Sequence, residues 1–90
     1  MGTLVVLTVR AGDPSAARTA LESAFREISR LEALLSEWQE GSEVSALNRA
    51  AGGAAVPISP ETEAVLRLAK TVAEQSQGAF DPTVLPLLRY

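Results

Sequence analysis

The chain has 90 residues, 47% of them hydrophobic and 21% charged, with a formal charge of −3. That length supports one modest core, and that composition excludes an intrinsically disordered chain, which combines low hydrophobicity with high net charge. Seven arginines and Lys70 set against an acidic excess exclude the clustered basic face that nucleic acid requires. The lack of Cys and His excludes thiolate chemistry, the usual zinc ligands and the commonest general base.

Any metal handled by such a chain is a hard, oxygen-bound ion such as magnesium. The longest apolar run, residues 4–7, is far too short to span a bilayer, and no signal-peptide pattern precedes it. Residues 1–6 carry the glycine of a myristoylation signal but place Val6 where Ser or Thr is required. The residues name no compartment.

In chain order, residues 3–10 (TLVVLTVR) are β-branched and apolar on both faces, which predicts a strand covered on both sides. Gly12, Asp13 and Pro14 then supply a turn, an N-cap acceptor and a proline whose missing N–H costs nothing at the first helical position. Ala17, Leu21, Ala24, Phe25, Ile28, Leu31, Leu34, Leu35 and Trp38 recur at spacings of three and four, predicting a long amphipathic helix that ends near Gly41. Ser42 caps a further turn or two of helix, with Val44 and Leu47 inward and Ser45 and Asn48 facing elsewhere. A Gly/Ala loop leads to a weak strand over residues 55–58, which Pro57 confines to an edge or bulge. Ser59, Pro60 and Glu61 repeat the cap logic, and Val65, Leu66, Ala69, Val72 and Ala73 predict a second amphipathic helix stopping at Gly78.

The expected class is therefore α+β: an N-terminal strand, two long amphipathic helices and a short one. A single strong strand cannot satisfy its own backbone donors and acceptors. Residues 1–90 are thus expected to be the front portion of a larger α+β domain, or to have their sheet completed by another chain, and a fragment with an uncovered apolar layer is expected to self-associate.

Few residues offer chemistry. Asp81 follows the second helix in a turn where Asp is common, so an Asx turn or cap is one reading. A carboxylate beside the small residues Gly78 and Ala79, open to a ligand, is the other. Trp38 is either packed in the helix seam or a flat stacking surface for a planar ligand. Ser42, Ser45 and Asn48 lie three apart, as caps or as a hydrogen-bonding patch. Glu37, Glu40 and Glu43 read as a solvated rim rather than as paired catalytic carboxylates.

The order of MGT, EISRLEALLSEWQEGSEVSALN, VPISPETEAVLRLAK and GAFDPTVLPLL resembles the N-terminal part of the FAD:protein FMN transferases, formerly described as thiamine-biosynthesis lipoproteins. The resemblance covers nearly the whole chain. It implies an enzyme that binds FAD and, with magnesium, transfers the FMN half to a threonine of an acceptor protein, releasing AMP. It further implies FAD contacts at Met1, Trp38, Ala79, Phe80 and Asp81, with Asn48 near the same pocket. Catalytic residues and magnesium ligands are expected beyond residue 90. Relatives are often exported and membrane-anchored, a feature for which this chain shows no anchor. The alternative is a helical interaction or oligomerisation module, since seam spacings of three and four also suit helix pairing. That reading gives no reason for the GAFD turn or for SEVSALN.

Overall fold

A computed structural model of the chain describes residues 2–84 and Leu87. It contains three helices, α1 (Pro14–Leu35), α2 (Glu43–Arg49) and α3 (Pro60–Gln75). The chain divides into two compact units, residues 1–57 with α1 and α2, and residues 58–90 with α3.

The expected α+β class is corrected by this architecture: among the described residues there is no strand. Residues 4–10 adopt no regular structure, and Leu4 and Val6 are exposed. The reason is physical. A β-branched run prefers a pleated, half-buried surface, and that surface is supplied by neighbouring strands rather than by the residues themselves. Residues 55–58, the weaker expected strand, also run without regular structure, so the first segment gains no ladder from them.

The helices follow from their ends. Asp13 caps α1 by accepting the Ser15 amide at 3.1 Å, with Pro14 in the first turn. Ser42 caps α2, and Ser59 caps α3 ahead of Pro60. Glu61 and Glu63 in the first turn of α3 interact favourably with its N-terminal dipole. Exposed ion pairs join Glu27 to Arg30 at 2.6 Å and Glu63 to Arg67 at 2.7 Å, contacts that solvent screens and that add little to stability. The Arg30 hydrogen bond holds the Glu27 carboxyl below its ordinary range.

The first helix stops earlier than its apolar seam suggests. Ser36 leaves the helical region at φ −74°, ψ 121° while its amide still donates to the Glu32 carbonyl. Trp38 therefore lies past the helix, in the connection to α2, with its amide donating to Ser36 Oγ at 3.3 Å.

At the far end of α3, the Gly78 amide reaches back to Ala73 O at 2.9 Å and the Gln77 amide to Glu74 O at 3.2 Å. This is the paired bond pattern of a Schellman stop, which requires a left-handed residue just after the cap. Gln77 occupies that position at φ +53°, followed by Gly78 at φ +84°.

In the first unit α1 packs on α2. Leu21, Ala24, Ile28, Leu31, Leu34 and Leu35 of α1 and Val44, Ala46 and Leu47 of α2 are half-buried. Among the described residues no apolar side chain is fully buried; the buried ones are Ser42, Ser45 and Thr62.

Candidate functional site

The connection between α1 and α2 is fixed by side chains of α2 and its cap. Ser42 Oγ accepts the Ser45 amide at 3.1 Å as an N-cap and donates to the Ser36 carbonyl at 2.6 Å. Ser45 Oγ donates towards the Gln39 carbonyl at 2.8 Å and the Glu37 carbonyl at 3.3 Å. With a single hydroxyl proton, the shorter contact is the principal bond. Arg49 Nη1 reaches the Glu40 carbonyl at 2.8 Å. Each bond satisfies a carbonyl that the end of α1 or the loop leaves without a helical partner.

On this fixed loop Trp38 stands 77% exposed, against the expectation of a seam residue. It borders an open groove of about 520 Å³ lined also by Ile28, Leu31 and Leu35, with Gly2, Glu32, Ser36 and Glu37. An apolar floor of branched side chains with an indole at its margin suits a flat ring: dispersion holds one face and the indole can stack on it. Such concave, mostly apolar surfaces are where planar ligands bind.

The sequence left Ser42, Ser45 and Asn48 divided between capping and a hydrogen-bonding patch, with Ser45 turned away from the interior. The structure separates them. Ser42 is the cap, Ser45 is 7% exposed and turned onto the loop, and Asn48 is exposed on the last turn of α2. A serine three residues after a serine cap was the available signal, but only the path of the loop shows which carbonyls it meets.

In the second unit, the residues after α3 are ordered by local bonds. Ser76 Oγ accepts the Phe80 amide at 3.0 Å, and the Ala79 amide donates to the Ser76 carbonyl at 3.1 Å. Asp81 Oδ1 accepts both the Thr83 amide at 2.8 Å and the Thr83 hydroxyl at 2.6 Å. This is the Asx-turn geometry. The Thr83 hydroxyl, and then its amide, hold the Asp81 carboxyl below its ordinary value. Ala79, Phe80 and Asp81 are all exposed. Met1 lies outside the described residues. Trp38 and Asn48 thus belong to the first unit and Ala79, Phe80 and Asp81 to the second.

Among the described residues no group of three or more acidic side chains is placed to hold a metal ion. These residues do not fit a magnesium site. None of the three helices is long and apolar enough to cross a membrane.

The profile of the ApbE family matches residues 1–90. The chain belongs to the ApbE family. It is also 36% identical over 85 residues to the FAD:protein FMN transferase of Treponema pallidum (strain Nichols), an alignment covering 93% of this chain and 24% of that protein. The chain therefore spans about a quarter of the length of this ApbE-type relative. No solved structure matches it. The family resemblance seen in the four ordered motifs is borne out by both matches.

Proposed function

We propose that this chain supplies flavin-contacting residues to an FAD:protein FMN transferase. Residues 1–90 would be the N-terminal part of its flavin transferase domain. The reading rests on the family match together with one structural observation: a lone tryptophan held out of the interior at the margin of an apolar groove. A seam tryptophan would be covered by α1 and α2, whereas this one is 77% exposed. Trp38 would stack on a planar ring of FAD. Asp81, whose Oδ1 already serves its own turn, would accept from a polar edge of the nucleotide with its other oxygen. Ala79 and Phe80 would line that approach, with Met1 and Asn48 as further contacts.

In the reaction so proposed, a threonine Oγ of the acceptor protein forms a bond to the FMN phosphorus. The anhydride oxygen bond to AMP breaks, AMP leaves, and the threonine proton passes to a base or to solvent. Positioning and charge neutralisation dominate such phosphoryl transfers.

Equilibrium dialysis of the chain with FAD tests the reading. Trp38→Ala is expected to weaken binding by roughly 5- to 150-fold, since base–aromatic stacking contributes ~1–3 kcal/mol. Equal affinity of the native chain and the variant, or no saturable binding by the native chain, would refute it.

The alternative, a helical interaction module, has its own observation. Phe25, Val65, Leu66 and Leu68 are exposed on α1 and α3 while no apolar side chain is fully buried among the described residues. Sedimentation that depends on protein concentration and is unaffected by FAD would favour that reading.

A further inference from the structure

We propose that Ser45 is a positioning residue for Trp38, an inference that rests on the flavin-contact reading of that indole. The observation is the distribution of hydrogen bonds along the loop. The carbonyls after Trp38 are captured from α2, Gln39 by the hydroxyl of Ser45 and Glu40 by Arg49, and the Glu37 carbonyl before it lies 3.3 Å from the same hydroxyl. Ser42 takes the Ser36 carbonyl one step further back. Trp38 itself is 77% exposed, so side-chain packing contributes little to where its ring stands. The place from which it projects is set by the backbone on either side, and Ser45 is the side chain whose hydroxyl faces both flanking carbonyls.

Ser45 is 7% exposed and Ser42 1%. Two serines in those positions cover little apolar surface. A buried hydroxyl with no carbonyl to meet would be costly, and here both hydroxyls have one. An alanine at either position would fill nearly the same space and remove the side-chain bond, leaving the Ser36 and Gln39 carbonyls only the turn amides of Gln39 and Ser42. The serines thus serve the bonds, and the bonds hold the backbone that carries the indole before any ring arrives. A surface fixed in advance binds more tightly than one that must be ordered on binding.

The experiment uses the chain itself, in which Trp38 is the sole tryptophan, so its emission reports on one site. Time-resolved anisotropy of Trp38 is measured in the native chain, Ser45→Ala and Ser45→Thr, with far-UV circular dichroism for helix content and dialysis against FAD for affinity. Ser45→Ala is expected to increase the fast local motion of the indole with helix content unchanged. It should also raise the FAD dissociation constant about 3- to 10-fold, the usual effect of one lost neutral hydrogen bond. Ser45→Thr, which keeps the hydroxyl, should restore both.

Trp38 anisotropy in Ser45→Ala equal to that of the native chain would overturn the proposal. Should Ser45→Ala lose helix content, Ser45→Thr decides: helical but with a mobile indole, it would equally overturn the proposal. Failure of the native chain to bind FAD, with the anisotropy changes as expected, would instead count against the flavin reading and leave the positioning of Trp38 standing.

Discussion

Replacing Ser42 by alanine removes two bonds made by one oxygen, and the cost can be worked from the geometry. The N-cap bond to the Ser45 amide at 3.1 Å is the kind whose loss costs ~1 kcal/mol. The donation to the Ser36 carbonyl at 2.6 Å adds about 0.5–1.5 kcal/mol. Ser42 is 1% exposed, so water does not readily replace either partner. The total, about 1.5–2.5 kcal/mol, corresponds to a fall in protection of roughly 10- to 70-fold. Native-state amide exchange reads this directly, because local openings are resolved helix by helix. Amides bonded within α2, such as those of Ala46 and Ala50, should exchange faster by that factor. Those of α3, which has its own cap at Ser59, should not change. Unaltered exchange in α2 would refute the capping role, and an equal acceleration in all three helices would show that Ser42 acts on the whole chain rather than on one helix end.

Two further outcomes follow from the end of α3. Gln77 holds a left-handed conformation at φ +53°, which a residue with a Cβ adopts at a cost of ~1 kcal/mol or more, so Gln77→Gly should slow exchange in the last turn of α3 by about 2- to 5-fold. Faster exchange would show that the glutamine side chain, not the backbone, sets the stop. The Asp81 carboxyl sits below its ordinary value of 3.8 because of Thr83; with a depressed folded value, its contribution to the turn is present above the unfolded value and lost as pH falls through the folded one. The Thr83 amide resonance should therefore titrate with a midpoint below 3.8, and Thr83→Ala should move the Asp81 midpoint upward; a native midpoint at or above the ordinary value would contradict the bonding seen here.

By itself the sequence determined the local features of this chain. Asp13–Pro14, Ser42 and Ser59–Pro60 each begin a helix where expected, because a cap is a contact between residues two or three apart and needs nothing distant. The four ordered motifs determined the family for the same reason, being strings of neighbours. What the tertiary structure decided is whatever depends on remote partners. Residues 3–10 have β-forming composition, yet form no strand among the described residues, since a ladder is made between segments and not within one. Trp38 continues the spacing of the α1 seam, but it lies beyond the end of α1 at Leu35 and is 77% exposed. A serine reads as polar and outward in a one-dimensional pattern. Only the path of the loop between α1 and α2 gives its hydroxyl the Gln39 carbonyl to meet and turns it inward.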